Sequence, residues 1–136
     1  HTPTTAIVGS VRMCIRDRKL PVCFFVENNQ YGVSTTVEEA TGEPRLSGRG
    51  PGFKIASWRV DGMDPLAVYL TMQKAVEHMR SGNGPTLVEA DVYRYFHQNG
   101  PFPGSAFGYR DKAEETAWRD RDPSSKPSLT WCDAGS

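Results

Sequence analysis

Two adjacent asparagines lie in a polar segment, Glu27 to Gly32 (ENNQYG), that directly follows an apolar run. Their side-chain amide oxygens and the main-chain carbonyls next to them place several oxygen donors within a few residues. Hard cations such as Mg²⁺ prefer oxygen ligands of this kind. A magnesium site is therefore one interpretation of the segment. The other is an ordinary polar turn, which paired asparagines alone indicate more often.

A second polar segment, Tyr93 to Gly100 (YRYFHQNG), contains side chains suited to binding an anion. Arg94 can bind a phosphate through two hydrogen bonds, and His97 can donate to the same anion. A stretch rich in glycine and proline follows, Pro101 to Gly108, and it ends at Tyr109-Arg110. This composition is typical of a lid over a site, although a surface loop without a function has a similar one.

Length and composition limit the class of protein. The 136 residues suffice for one small domain, and 38% hydrophobic with 24% charged residues favours a soluble globular chain. The 16 basic and 16 acidic residues balance, so charge gives no reason to expect a nucleic-acid or membrane partner. The apolar run Val22 to Val26 is too short to span a bilayer.

The three cysteines, Cys14, Cys23 and Cys132, show no metal-ligand spacing. We interpret Cys23 as a buried residue of a strand, since unpaired cysteines behave as small hydrophobic side chains. Nothing in this cysteine usage requires an oxidising compartment.

The two ends of the chain differ from its middle. Residues 1–18 have no period that continues into the rest, and Met13 to Arg18 resembles the translation of a sequencing adaptor, so we interpret this segment as non-native. A natural threonine-rich tail is the alternative. Residues 123–136 are rich in Ser, Pro and Asp and are interpreted as a tail of unclear origin. Fold and function are therefore predicted for residues 19–122.

Three apolar segments predict strands. Leu20 to Val26 does not alternate, which favours a strand buried on both faces of a parallel sheet, with the polar turn at its carboxyl end. In open α/β sheets ligands bind at that end. Ala56 to Val60 predicts a short strand that ends at Asp61-Gly62, and Thr86 to Tyr95 predicts a strand with better alternation.

Two helices are predicted between and after these strands. The first runs from Pro65 to about Ser81 behind the N-cap Asp64. Spacing places four apolar residues on one of its faces: Tyr69, Met72, Val76 and Met79. The second runs from Asp111 to Arg121, and its predicted buried side consists of Ala113, Ala117 and Trp118. Two strands separated by a capped helix predict an α/β fold with a parallel, right-handed βαβ-like unit.

Four stretches of the sequence occur in this order in a known family: LPVCFFVENNQYGVSTTVEEA, WRVDGMDPLAVY, GNGPTLVEADVYRY and YRDKAEE. Residues 19–122 thus resemble the alpha subunit of thiamine-diphosphate-dependent 2-oxo acid dehydrogenase first components. Pyruvate, branched-chain 2-oxo acid and acetoin dehydrogenases belong to this family. The resemblance implies a C-terminal fragment of such a subunit, most similar to the pyruvate type. Its implied fold is a partial doubly wound parallel sheet of the thiamine-diphosphate-binding fold, truncated on the N-terminal side.

The resemblance also implies roles for individual residues. The side chain of Asn29 and the main-chain carbonyl of Tyr31 would bind Mg²⁺. Arg94 would contact the diphosphate of the cofactor. The segment after Arg94 would close over the cofactor as a loop, and Tyr109-Arg110 would hold the far end of that loop.

Three features depart from the family pattern. The Gly-Asp-Gly motif that completes the family's magnesium site is missing upstream, where residues 1–18 lie, so the fragment alone is expected to be inactive. Gln98 occupies the position of the family's second loop histidine. His97, one residue earlier, is therefore the candidate for cofactor contact and catalytic proton transfer. The tail from residue 123 does not align.

The implied activity is oxidative decarboxylation of a 2-oxo acid, with pyruvate favoured, followed by acyl transfer to a lipoyl group. The implied cofactors are thiamine diphosphate and Mg²⁺. The implied partners are a beta subunit, in an assembly of two alpha and two beta chains, and a lipoyl-bearing acyltransferase, in the cytoplasm of a bacterium. The alternatives are a non-catalytic α/β binding or assembly module that has lost the cofactor, and a different, transketolase-like thiamine enzyme.

Overall fold

The structure is a computed structural model that describes residues 14–98 and 100–125. Predictions for residues 1–13, for Asn99 and for residues 126–136, including Cys132, lie outside the described residues. The described residues divide into two compact units, one up to residue 92 and the other from residue 93 onward. The first unit contains the strands, and the second contains the last helix.

The described strands of the first unit form two sheets. Along the chain the strands are β1 (Cys23–Asn28), β2 (Tyr31–Gly32), β3 (Thr35–Thr36), β4 (Ala56–Asp61) and β5 (Thr86–Asp91). The larger sheet has the order β1-β5-β4 with parallel pairings, and β2 pairs with β3 in an antiparallel way. This arrangement confirms the predicted α/β fold with a parallel sheet, and β4 agrees with its predicted range to within one residue.

Helices connect and follow these strands. In order they are α1 (Val37–Ala40), a 3₁₀ turn (Leu46–Gly48), α2 (Arg49–Gly52), α3 (Pro65–Arg80), α4 (Lys112–Arg121) and a second 3₁₀ turn (Pro123–Ser125). Within the described ranges, none of the helices has both the length and the apolar character that crossing a bilayer requires.

The first strand differs from its prediction in position and in burial. It begins at Cys23 instead of Leu20 and continues through Asn28, because its pairing with β5 extends to Asp91. Phe25 is 43% exposed, so the prediction of burial on both faces was wrong. β1 lies at an edge of the sheet, whereas α3 packs on β4 and β5. Cys23 is half-buried against the core, less buried than predicted.

The buried face of α3 does not coincide with the predicted apolar face. Its centre is Ala75, which is 0% exposed, and Val68 and Met72 pack against the same core. Tyr69, which the spacing places on the predicted apolar face, is 55% exposed. The core that α3 covers consists of small and branched side chains from the sheet: Val60, Val88 and Ala90. Contact with these strands, and not the size of the apolar side chains, sets the orientation of the helix.

The central strand, β5, is buried on both faces, in contrast to the predicted alternation. Val88 and Glu89 are 0% exposed and Ala90 is 2% exposed. Three consecutive buried residues require cover on both sides of a strand, because neighbouring side chains point to opposite faces. The strand ends at Asp91 and not at Tyr95, in register with the ends of β1 and β4.

The prediction for the buried side of α4 was wrong for two of its three residues, and a carboxylate is buried there instead. Ala113 and Ala117 are exposed, whereas Glu115 is 7% exposed. The Glu115 carboxylate accepts hydrogen bonds from Ser105 Oγ at 2.8 Å and from Arg119 Nη2 at 2.9 Å. The bond from Arg119, followed by that from Ser105, lowers the pKa of Glu115 from its ordinary value. Trp118, the third predicted residue, is half-buried and stacks on Tyr93.

Replacing the N-cap of α3 provides a test of this fold. Asp64 Oδ1 accepts from the backbone N of Leu66 at 3.0 Å and from that of Ala67 at 3.2 Å. The substitution Asp64→Ala should lower the free energy of unfolding by about 1 kcal/mol, because two amides of the first turn lose their acceptor. Urea unfolding followed by circular dichroism measures this. Lys74→Ala on the exposed side of the same helix is the control and should change stability by less than about 0.5 kcal/mol. Equal effects of the two substitutions would contradict the capping role.

Candidate functional site

The turn after β1 is held by its own side chains. Asn28 Oδ1 accepts from the backbone N of Gln30 at 3.1 Å, and Asn29 Oδ1 accepts from the backbone N of Tyr31 at 3.0 Å. Gln30 has a φ of +66°, a left-handed conformation that such side-chain bonds help to stabilise. The structure therefore brings Asn29 and Tyr31 together. An amide oxygen has two lone pairs, so one hydrogen bond leaves Asn29 able to coordinate a cation.

Asn28 also binds a buried carboxylate that the sequence analysis did not single out. Asn28 Nδ2 donates to Glu89 Oε1 at 2.8 Å, and the backbone N of Ser47 donates to Glu89 Oε2 at 2.6 Å. Burial acts to raise the pKa of Glu89, but the hydrogen bonds from Ser47 and Asn28 outweigh it and hold that pKa below its ordinary value. The sequence feature that could have indicated this site is the position of Glu89, an acidic residue between the apolar residues Val88 and Ala90 of a predicted strand.

An open groove of about 490 Å³ lies beside the turn, within the first unit. The residues that line it are Glu27, Asn28, Asn29, Gln30, Tyr31, Gly32, Thr35, Thr36, Val37, Ala40 and Leu46. In the part of the chain that the structure describes, His, Cys, Asp and Glu side chains form no cluster of three or more suited to a metal ion. The oxygen atoms of the residues that line this groove include those of the Asn28, Asn29 and Gln30 amides, of main-chain carbonyls and of the Glu27 carboxylate.

Arg94, in the second unit, has a guanidinium group with unused donors. Its Nε and Nη2 atoms are buried and have no hydrogen-bond partner among residues 14–98 and 100–125. Buried polar groups are nearly always paired, and an unpaired buried charge is costly. An anion with two acceptor oxygens is the partner that a guanidinium fork fits best.

The loop after Arg94 folds back on itself. The backbone N of His97 donates to Phe102 O at 2.8 Å, and the backbone N of Gly104 donates to Tyr95 O at 2.8 Å. Phe96 and Pro103 form an antiparallel bridge between these bonds. The predicted lid therefore has a hairpin-like base.

Arg110 connects the far end of the loop to its beginning. Its Nη1 atom donates to Arg94 O at 2.6 Å, and Arg110 is only 3% exposed. The guanidinium carbon also lies 5.3 Å from the centre of the Tyr93 ring, a cation–π distance. This geometry supports the predicted role of Arg110 in holding the loop.

The two predicted loop residues have different surroundings. His97 is half-buried, and its ring centre lies 4.5 Å from that of Phe107 and 5.9 Å from that of Tyr109. Gln98 is exposed. The structure thus brings His97 together with the end of the loop, and it leaves Gln98 at the surface.

The residues fit the cofactor that the resemblance implies, each in its own unit. The turn presents an amide oxygen and neighbouring carbonyls beside an open groove, which suits Mg²⁺. Arg94 has buried donors that lack acceptors, which suits a diphosphate. These are independent observations, since one concerns acceptors and the other donors.

Comparison with known proteins identifies the family of the chain. The family model described as "Dehydrogenase E1 component" matches residues 16–127. The pyruvate dehydrogenase E1 component subunit alpha of Rhizobium meliloti (strain 1021) is 40% identical over 118 residues, which are 86% of this chain and 33% of that protein. The same subunit of Bacillus subtilis (strain 168) is 38% identical over 108 residues, 77% of this chain and 28% of that protein.

A relative named for another 2-oxo acid is similar to the same extent. The 3-methyl-2-oxobutanoate dehydrogenase subunit alpha of Mycobacterium tuberculosis (strain CDC 1551 / Oshkosh) is 38% identical over 104 residues, 76% of this chain and 28% of that protein. The chain belongs to the dehydrogenase E1 component family. Its curated relatives are alpha subunits of 2-oxo acid dehydrogenases, and the chain spans about a third of their length.

Substituting Gly104 tests the base of the loop. A Cβ atom at this position would lie 2.8 Å from Arg110 Nη1, which would have to move, and 3.3 Å from Tyr95 O, which is a tight contact. We expect Gly104→Ala to displace Arg110 and to speed backbone hydrogen exchange at His97 and at position 104, measured by mass spectrometry. Gly52→Ala is the control, because a Cβ there meets nothing within 4 Å. Unchanged exchange in the Gly104 variant would show that the packing of Arg110 does not hold the loop.

Proposed function

We propose that this chain is part of the alpha subunit of a thiamine-diphosphate- and Mg²⁺-dependent 2-oxo acid dehydrogenase that acts on pyruvate. The reaction is oxidative decarboxylation followed by acyl transfer to a lipoyl group. The buried Nε and Nη2 atoms of Arg94 carry the proposal, because buried donors of a cation that lack acceptors are stabilised by an anion such as a diphosphate. Relatives named as pyruvate dehydrogenase alpha subunits support pyruvate as the substrate.

The residues of the chain divide the task of holding the cofactor. Asn29 would bind Mg²⁺ through its side-chain oxygen, and Tyr31 would bind it through its main-chain carbonyl. Arg94 would bind the diphosphate through its planar set of donors. When bound, thiamine diphosphate supplies the electron sink that decarboxylation of a 2-oxo acid needs.

His97 and Gln98 are proposed to act from the loop. The rings of Phe107 and Tyr109 pack against the imidazole of His97 and restrict its rotation and its contact with water. An imidazole can accept a proton at one ring nitrogen and donate one from the other, which makes His97 the proposed catalytic residue and a cofactor contact. The exposed amide of Gln98 can donate a hydrogen bond to the cofactor.

The complete enzyme needs more than this chain. We propose a beta subunit as partner, in an assembly of two alpha and two beta chains, and a lipoyl-bearing acyltransferase, all in the bacterial cytoplasm. The names of the relatives as alpha subunits support a second kind of subunit. The chain contains no Gly-Asp-Gly sequence, so we expect it to be inactive by itself.

A chimeric subunit makes the proposal testable. In this chimera, residues 16–127 of the chain replace the matching part of the Rhizobium meliloti alpha subunit, and the product is assembled with that organism's partner subunit. The assembled chimera should bind thiamine diphosphate in the presence of Mg²⁺ and decarboxylate pyruvate. Calorimetric titration measures the first property, and release of CO₂ measures the second.

The metal role of Asn29 is tested in the assembled chimera by Asn29→Leu. Because leucine has no oxygen donor, the dissociation constant of thiamine diphosphate with Mg²⁺ should rise more than about tenfold, a loss of about 1.4 kcal/mol or more. Asn83→Leu, at an exposed position after α3, is the matched control and should leave the constant unchanged. Undiminished affinity in the Asn29 variant would show that Asn29 does not bind the metal.

The anion role of Arg94 is tested by Arg94→Lys, which keeps the charge and removes the bidentate geometry. We expect the dissociation constant of thiamine diphosphate to rise about tenfold, corresponding to about 1.4 kcal/mol. Arg80→Lys, at the exposed end of α3, serves as the control. If lysine at position 94 binds the cofactor as well as arginine does, the two unpaired donors do not contact the diphosphate.

A further inference from the structure

Glu89 has an unusual position for an acidic residue. It lies in the middle of the central strand β5 and is 0% exposed. One of its carboxylate oxygens accepts from Asn28 Nδ2 at 2.8 Å, and the other accepts from the backbone N of Ser47 at 2.6 Å. Asn28 and Ser47 are separated by 18 residues in the sequence. Their hydrogen bonds to the Glu89 carboxylate hold both of them at one point of the sheet.

One of these bonds leads directly to the turn after β1. While Asn28 Nδ2 is held by Glu89, Asn28 Oδ1 points to the turn and accepts from the backbone N of Gln30. Gln30, with a φ of +66°, lies between Asn29 and Tyr31 in this turn, and the backbone N of Tyr31 donates to Asn29 Oδ1. The hydrogen bond to Glu89 therefore fixes the Asn28 amide so that its oxygen, and not its NH₂ group, faces the backbone N of Gln30.

The other bond fixes a neighbouring part of the groove. Ser47 is 4% exposed and lies in the 3₁₀ turn Leu46–Gly48. Leu46, the residue before it, lines the same groove as Asn29 and Tyr31. One buried carboxylate thus holds two separate segments of the groove wall.

We propose that Glu89 is a positioning residue for the magnesium-binding turn, acting through Asn28 and Ser47 without touching the cofactor. This inference rests on the proposed function, because it assigns the turn of Asn29 and Tyr31 to Mg²⁺. Residues that orient metal ligands from outside the coordination shell commonly change metal affinity about tenfold to a hundredfold when they are replaced.

Position 89 requires two acceptors, and only an ionised carboxylate provides them in this geometry. A glutamine there accepts through one oxygen, and its NH₂ group then faces a donor, either Asn28 Nδ2 or the Ser47 backbone N. The Asn28 amide would have to rotate to remove this conflict, and its own NH₂ would then face the backbone N of Gln30. The substitution Glu89→Gln should therefore disturb the turn with almost no change in side-chain volume.

A second substitution can restore the same set of hydrogen bonds. In the double variant Asn28→Asp with Glu89→Gln, the amide oxygen at position 89 accepts from Ser47, and its NH₂ donates to the new carboxylate at position 28. The other oxygen of that carboxylate accepts from the backbone N of Gln30. Net charge is the same as in the original chain, so only the direction of one hydrogen bond is reversed.

The experiment uses the assembled chimera with its partner subunit, and the ligand is thiamine diphosphate with Mn²⁺ in place of Mg²⁺. Calorimetry gives the dissociation constant, and hydrogen exchange gives the protection of the amides at Gln30 and Ser47. We expect Glu89→Gln to raise the dissociation constant at least about tenfold and to reduce the protection of both amides. The double variant should bring both quantities back to within about threefold of the original.

A control separates positioning from general destabilisation. Val88→Ala removes core volume next to Glu89 and leaves every hydrogen bond of Glu89 in place. It should lower the melting temperature while leaving cofactor affinity within about twofold of the original, since a cavity acts mainly on folding stability. If Val88→Ala weakens cofactor binding as much as Glu89→Gln does, or if the double variant fails to restore binding, the positioning role is overturned.

The outcomes also distinguish this inference from the proposed function. Absence of binding by the unsubstituted chimera would overturn the proposed function, and with it the assignment of Glu89. Normal binding by the unsubstituted chimera and equally tight binding by Glu89→Gln would overturn only the role of Glu89.

Discussion

A carboxylate at the centre of a sheet must be hydrogen-bonded through both oxygens, and the first unit satisfies this requirement at Glu89 with donors from outside its own strand. Burying an isolated charge costs far more than a buried apolar side chain contributes, so an unpaired Glu89 would be incompatible with this strand. The donors come from the end of β1 and from the 3₁₀ turn Leu46–Gly48. The same bonds that neutralise the cost of burial thereby fix the loops around the groove.

The parallel arrangement of the strands explains why polar residues lie side by side at the carboxyl edge of the sheet. Asn28, Asp61 and Asp91 are the last residues of the three strands, and the first two lie in register with the third. Parallel strands present their carboxyl ends at one edge, where open α/β sheets place their ligand sites. Gly62 follows at a point of close approach, since a Cβ there would lie 2.7 Å from Asp91 O. The edge is therefore polar and tightly packed for reasons of topology.

Much of the fold could be predicted from local signals. The capping aspartates Asp64 and Asp111 mark the two longer helices to within one residue, because a cap depends only on its own first turn. Burial could not be predicted in this way. Tyr69 is apolar and exposed, whereas Glu89 is charged and buried, and both outcomes depend on segments that are distant in sequence. A hydrophobic period in the sequence shows which side chains prefer to be buried, but it does not show which distant segments pack against them.

The same contrast between local signals and long-range contacts applies to the candidate site. The pairing of Asn29 with Tyr31 follows from the short-range geometry of a turn and was predictable from the sequence. The residues that hold the proposed cofactor contacts in place were less predictable from the sequence. Asn28 holds its turn because of Glu89, and Arg94 has its main chain held by Arg110 Nη1 at 2.6 Å. In the first unit the buried Glu89 binds the side chain of Asn28, the neighbour of Asn29. In the second unit the buried Arg110 binds the main-chain oxygen of Arg94 and leaves the Arg94 Nε and Nη2 donors available. Such an arrangement restricts the conformations of the contact residue before any ligand arrives, and a residue restricted in advance loses less entropy when it binds.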